Sequence, residues 1–362
     1  MKKYLIPLVP GPVSVPAEVL GEATVDYGSG LLEPEYLAIY KECESMLQTL
    51  MGTRSRVVIQ TGEGMLALWT ALKSVLKPGD NVLVISTGLF GEGFAAMAES
   101  IGCRPRIIAH EFDETVRDFE RVERAIIEFR PKMITLVHCE TPSGTLNPVK
   151  EIGELKTRHG VPLLCVDMIS SIGGVPVEVD AWGVDLALGA SQKCLSAPAS
   201  TSFLAVSEEA WRRVQSVAYA GYEALLPFRE ALDAGDFPYT PYWQGLAQLT
   251  RACKLIMQEG MENCFARHRS VARYCRDRLE QMNVKLFPAP GATCSPTVTA
   301  ARVPGHISWE KLDARLRARG VVLGNNFGTL AGKVFRVGHM GTQARLETVT
   351  AAMDILETAL RE

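Results

Sequence analysis

The chain has 362 residues, 47% hydrophobic and 22% charged, with 38 Lys and Arg against 41 Asp and Glu for a formal net charge of −3. This exceeds the roughly 250–300 residues that one hydrophobic core organises, so a large domain plus a smaller one is expected, and the apolar share excludes wholesale disorder. The near-balanced charge, without basic runs, gives no electrostatic footprint for nucleic acid or an anionic membrane, which leaves small molecules as partners.

The chain opens on an arm, residues 1–16, in which Pro7, Pro10 and Pro12 interrupt a short apolar stretch. No small-residue cleavage site follows, so it is a poor signal peptide and a cytoplasmic protein is expected. Apolar runs then alternate with amphipathic stretches, the pattern of an α/β fold around a mostly parallel, buried sheet. Expected strands are Arg56–Gln60, Asn81–Ser86, Arg104–Ala109, Met133–Cys139, Pro162–Val166, Leu186–Leu188 and Ser202–Val206. Expected helices are Met65–Leu76, stopped by Pro78-Gly79, Val116–Phe129, stopped by Pro131, and Val149–His159, stopped by Gly160 and Pro162. Two long helical stretches begin near Trp243. After the break Phe287-Pro-Ala-Pro-Gly291 come a strand (Pro296–Val303), a helix (Trp309–Arg319), two strands (Val321–Leu323 and Val334–Gly338) and a closing helix from about Ala344. The division this suggests is a large domain over 17–258 and a smaller C-terminal α+β domain over 259–362.

Nine cysteines, an odd number with no CxxC pair, read as reduced core residues rather than disulfides or a metal site, so no metal is expected. The sharpest chemical feature is Gly189-Ala-Ser-Gln-Lys193-Cys-Leu-Ser-Ala-Pro198, a lysine leaving an apolar strand among small residues. Desolvation there lowers its pKa and favours imine chemistry with an aldehyde; the plain alternative is a surface lysine at a strand end. Asp167 ends another apolar strand, at the carboxyl edge where open α/β sheets place ligands. Its carboxylate suits a protonated pyridine nitrogen, or equally an N-cap for Met168-Ile169-Ser170. Arg336 interrupts the apolar run Val334-Phe-Arg-Val-Gly338, where a guanidinium needs an anion, either a substrate carboxylate or a structural acid. His339 reads as a packing histidine rather than a base.

Together with His138-Cys-Glu-Thr-Pro-Ser-Gly144, Val166-Asp-Met-Ile-Ser-Ser-Ile-Gly-Gly174, Lys77-Pro-Gly-Asp80, the arm motif Pro10-Gly-Pro12 and Lys333-Val-Phe-Arg-Val-Gly-His-Met-Gly341, these segments resemble class V aminotransferases of the alanine–glyoxylate and serine–pyruvate type, over nearly the whole chain. The resemblance implies a fold type I large domain, a three-layer sandwich around a mostly parallel sheet, and pyridoxal 5′-phosphate held on Lys193 as a Schiff base. It makes Asp167 the ring-nitrogen partner, Phe90 the aromatic stacked on the ring, and Thr141 and Gln192 the polar edge. Glu63, Gly64, Met65 and Ile169 complete the cofactor set, with Thr240 reaching in from the second subunit of a homodimer. Arg336 and Gly11 take the substrate. The implied reaction moves an amino group from a small donor of alanine or serine type to a 2-oxo acid, pyruvate or glyoxylate.

Two positions depart from that pattern. In Gln60-Thr-Gly-Glu-Gly-Met65, Glu63 stands where the family places a small hydroxyl residue against phosphate, and a carboxylate there repels a dianion. In Phe237-Pro-Tyr-Thr240-Pro, Phe237 replaces a tyrosine while Thr240 is kept. Both features resemble the pyridoxamine–pyruvate aminotransferase branch, which turns over unphosphorylated pyridoxamine and pyridoxal, although Phe327 stands where that branch has a further arginine. A lyase or a cysteine desulfurase on the same scaffold is the remaining alternative, with Cys294 the nearest cysteine for the latter.

Overall fold

The computed structural model describes residues 4–362, so the first three residues of the expected arm lie outside the described residues. In chain order the first elements are β1 (Ile6–Leu8), α1 (Ala17–Gly21), α2 (Pro34–Met51), β2 (Arg56–Thr61), α3 (Gly64–Val75), β3 (Asn81–Ser86), α4 (Leu89–Ser100) and β4 (Arg104–Ala109). There follow α5 (Phe119–Phe129), β5 (Met133–Val137), the short hairpin β6 (Cys139–Glu140) and β7 (Thr145–Leu146), α6 (Val149–Arg158), β8 (Leu163–Asp167), β9 (Leu186–Ala190), β10 (Thr201–Val206) and α7 (Glu208–Val217). The last third holds α8 (Ala231–Ala234), α9 (Trp243–Glu259), α10 (Met261–Gln281), β11 (Thr299–Arg302), α11 (Trp309–Ala318), β12 (Val321–Leu323), β13 (Val334–Val337) and α12 (Leu346–Arg361).

Seven strands form one sheet in the order β2-β10-β9-β8-β5-β3-β4. The pairs β3–β4, β3–β5, β5–β8 and β8–β9 are parallel, and β10 alone runs against both its neighbours. Successive side chains of a strand point to opposite faces, and the core divides accordingly. Val57, Ile59, Leu83 and Ile85 join one apolar cluster with α2, α5, α6 and α9, while Val58, Val82 and Val84 join another with α3, α4 and α7. Helices thus cover both faces, which is why the strands read as continuous apolar runs. The result is the α/β three-layer sandwich that the resemblance implied.

Helix α2, which the sequence punctuation did not single out, buries Tyr36, Tyr40, Cys43, Leu47, Leu50 and Met51 at three- and four-residue spacing. Pro34 opens it, and Gly52 closes it in the left-handed region (φ 59°). The arm is more than extended chain: β1 pairs in parallel with β12, so Leu8 enters the cluster made by α10, α11, α12 and β13. Residues 9–13 then cross from that cluster to the large sheet, where the Val13 amide bonds Gln192 O at 3.0 Å. No helix among the described residues is long and apolar enough to cross a membrane.

Candidate active site

Three strand ends and the arm build the site. Asp167 is the last residue of β8, only 6% exposed, and its Oδ1 accepts the Ile169 amide at 2.9 Å. Burial pushes this carboxyl up to about 6, against the Ile169 amide and the charge of Lys193, which hold it down. Strand β9 runs beside β8 and ends at Ala190, and the chain then turns through Ser191 and Gln192 to Lys193. Ser191 Oγ fixes that turn by donating to Pro198 O at 2.5 Å. Lys193 is half-buried, and its ammonium donates to Pro10 O at 2.5 Å. Burial, with Arg336 close enough to repel, brings it down to about 8, while Asp167 opposes that fall. A shift from 10.5 to about 8 corresponds to about 3 kcal/mol favouring the neutral amine. Gly11 lies on the lysine: with φ 95° it occupies backbone that side chains avoid, and an added Cβ would stand 2.6 Å from Nζ.

Arg336 reaches the same space from β13. It is 4% exposed, and no carboxylate lies within ion-pair distance among the described residues. Its Nε donates to Asn325 O at 3.0 Å, Nη2 donates to the same oxygen, and the Phe327 ring covers one face at 4.7 Å. Burial alone lowers it to about 10. A cation held without an acid, beside a cation that is already weakened, is a receptor for an anion.

The remaining sequence-expected residues lie in several places. Thr141, 3% exposed, shares a hydrogen bond with Ser170 across 2.6 Å, and Gln192, 6% exposed, has a buried Oε1 with no partner. Around the N-terminus of α3, Ile169 packs so close to Gly64 that a Cβ there would meet its Cδ1 at 2.6 Å. Glu63 is the N-cap: its Oε2 accepts the Met65 amide at 3.1 Å and Gln192 Nε2 at 3.5 Å. Phe90 is the second residue of α4 and half-buried. Thr240 is the outlier: it is exposed and lines a separate hollow with Gln60, Thr61, Leu66, Thr201 and Tyr242. Phe237 is core, buried against Tyr36 and Tyr40 with ring centres 5.2 and 5.0 Å away.

His339 is closed off between Thr299 Oγ1 at 2.7 Å and Pro296 O at 3.1 Å, and burial lowers it to about 3, so it packs rather than titrates. Cys294 is half-buried, and its burial raises the thiol's pKa, the opposite of what a reactive thiolate needs. Sequence reasoning missed Glu140, fully buried in the hairpin before Thr141. The one signal for it was a carboxylate inside an apolar segment.

An amine and an acid at the carboxyl edge of a parallel sheet, with an unpaired guanidinium reaching in from β13, describe an enzyme that condenses a carbonyl with an amine and binds carboxylates. The family model for class V aminotransferases matches residues 21–340. An uncharacterised aminotransferase of Methanocaldococcus jannaschii is 34% identical over all of this chain and 94% of its own length. The structure of an alanine–glyoxylate aminotransferase from Nostoc sp. superposes with a TM-score of 0.94 at 32% identity, covering 100% of this chain and 96% of that one. That of a pyridoxamine–pyruvate aminotransferase from Mesorhizobium loti superposes with a TM-score of 0.95 at 29% identity, covering 99% and 93%. The chain belongs to the class V aminotransferase family, and it is a transaminase that uses pyridoxal phosphate.

The residues present fit that cofactor. Lys193 offers an amine whose proton is weakly held, Asp167 a buried carboxylate, and Gln192 a buried oxygen in want of a donor. At the N-terminus of α3, where backbone amides suit a phosphate, the chain's own Glu63 carboxylate caps the helix.

Proposed function

We propose that this enzyme transfers an amino group from a small amino acid, of alanine or serine type, to pyruvate or glyoxylate, and that it does so as a homodimer with shared active sites. Bound pyridoxal phosphate supplies an aldehyde that condenses with amines and a ring that draws electrons from the substrate Cα. Lys193 would hold that aldehyde through its Nζ and, once the substrate amine has taken its place, would carry the proton removed from Cα. Asp167, a buried acid at the end of β8, would partner the ring nitrogen and keep it protonated. Phe90 would stack on the ring, and Ile169, packed against Gly64, would help to hold the cofactor. Thr141 and Gln192 would bond its polar edge, and the Gly64 and Met65 amides would hold the phosphate together with Thr240 of the second copy. Arg336 orients the substrate carboxylate so that the bond to be broken stands across the ring, in the space that Gly11 leaves open.

The observation that carries this reading is Arg336, a buried guanidinium without an acid partner, close enough to Lys193 to lower its pKa. Borohydride reduction of the purified enzyme followed by peptide mass spectrometry tests it. A pyridoxyl phosphate group on Lys193 is expected, and an unmodified Lys193 under saturating cofactor would overturn it.

A second reading of the donor is supported by Glu63, whose Oε2 already accepts the Met65 amide that a phosphate would need. In that reading unphosphorylated pyridoxamine is itself the amino donor and pyruvate the acceptor. Cofactor-stripped enzyme given pyridoxamine and pyruvate then forms alanine, and no alanine sinks it.

A further inference from the structure

The mechanism leaves unused the most deeply buried carboxyl beside the site. Glu140 is 0% exposed and forms no ion pair among the described residues. Burial pushes it up to about 8, with Asp167 adding to the rise and the Phe90 and Gly91 amides opposing it. Those amides are its anchors: Oε1 accepts Phe90 N–H at 3.1 Å and Oε2 accepts Gly91 N–H at 3.4 Å. Both belong to the first turn of α4, where free N–H groups and the helix dipole favour an anion. Two donors are present, one for each oxygen, so the buried carboxyl group is not left without partners.

Three further features converge here. Gly88, just before α4, leaves the carboxyl its room: a Cβ at that position would stand 2.5 Å from the Glu140 Cδ and 2.9 Å from Oε1. Glu140 O accepts the Ser143 and Gly144 amides at 3.2 and 2.9 Å, so the same residue shapes the hairpin that carries Thr141. The Asn326 side chain, next to Phe327, donates to Pro142 O at 2.7 Å and ties the loop beside Arg336 to this hairpin. Glu140 is therefore the joint between the turn that bears Phe90 and the segment that bears Thr141.

We propose that Glu140 is a positioning residue for the cofactor ring: its carboxyl group, seated on the Phe90 and Gly91 amides, clamps the first turn of α4 against the β6–β7 hairpin and so sets where the Phe90 ring lies. This rests on the reading of Phe90 as the aromatic that covers the cofactor. A capping residue with no further role stabilises α4 and nothing else. A positioning residue changes how the cofactor is held, and a misplacement of about 1 Å at a reacting group costs on the order of a hundredfold in rate.

The test compares wild type, Glu140→Gln and Gly88→Ala. Glutamine keeps the shape but turns an amide N–H₂ toward a backbone donor; alanine at 88 displaces an intact carboxylate. In the cofactor-free enzyme, amide hydrogen exchange across 88–92 is expected to quicken by about tenfold in both variants. Pyridoxal phosphate is expected to dissociate about tenfold more readily, and its visible circular dichroism, which reports ring geometry against the protein, to weaken. Quicker exchange with unchanged affinity and unchanged dichroism would reduce Glu140 to a cap and overturn the proposal, as would unchanged exchange. Should Glu140→Gln fail to fold, Gly88→Ala decides by the same readings. Wild-type enzyme that takes no cofactor on Lys193 would instead sink the proposed function.

Discussion

At the scale of single residues, the chemistry turns on how cheaply Lys193 loses its proton. Burial and the nearby Arg336 bring it down to about 8, so the neutral, nucleophilic amine predominates above that pH and the ammonium below. The rate at which cofactor-free enzyme captures pyridoxal phosphate should therefore rise with pH, with a midpoint near 8 rather than near the 10.5 of an ordinary lysine, followed by absorbance on mixing. Replacing Arg336 by Ala removes a like charge, so the midpoint should move upward. A midpoint that stays put would mean the guanidinium does not act on the amine. The same arginine makes a second prediction. Arg336→Lys keeps a charge but loses the planar fork, so KM for both amino acid and oxo acid should rise by about tenfold to a hundredfold. Steady-state kinetics with pyruvate as acceptor checks it. These residues were legible in the sequence because each is a charge set in an apolar run. Glu140 carries the same kind of signal, but its partners do not show in the sequence, since its donors lie about fifty positions away, on a helix whose proximity only the folded sheet creates.

At the scale of elements, legibility followed punctuation. Asn81–Ser86 and Arg104–Ala109 coincide with β3 and β4, and Val149–His159 with α6 to within one residue, because Pro and Gly bound them. Met133–Cys139 was read as one strand, but the chain breaks at His138, whose amide bonds Asp167 O, and the hairpin begins. Helices α2, α4 and α7 were passed over, and the reversed direction of β10 cannot be read from an apolar run, which looks the same in either direction. The element that decides the cofactor is the first turn of α3. Glu63 occupies the Met65 amide there, so a phosphate bound as proposed would have to displace it. Glu63→Ser frees the amide and removes a repelling charge, and the preference for pyridoxal phosphate over pyridoxal should grow by about tenfold or more, as separated charges at a helix terminus contribute roughly 1–2 kcal/mol. Equilibrium dialysis of both compounds against cofactor-free enzyme measures it. An unchanged ratio would mean Glu63 already turns aside in the wild type.

At the scale of the whole molecule, one surface asks for a partner. Leu32 is 80% exposed, Tyr222 61%, Leu31 45%, Tyr242 40% and Met65 39%. The segment bearing Leu31 and Leu32 adjoins the one bearing Tyr242, since a Cβ on Gly30 would stand 2.6 Å from Pro241. Tyr222, Tyr242 and exposed Thr240 line one hollow with Leu66, in the helix that Glu63 caps. Apolar groups gathered in this way beside a cofactor-binding turn suit a self-complementary contact between two copies. If Thr240 serves the neighbour's phosphate, two defective chains can repair each other. Lys193→Ala should abolish turnover and Thr240→Ala should loosen the cofactor. In a heterodimer of the two, one site combines both defects, while the other has Lys193 from one chain and Thr240 from the other. Random reassortment should then give about a quarter of sites that are active at limiting cofactor. Activity of the re-equilibrated mixture, measured at a cofactor level where neither parent turns over, tests this. If Thr240 acts within its own chain, every site with an intact Lys193 lacks its threonine, and the mixture stays silent.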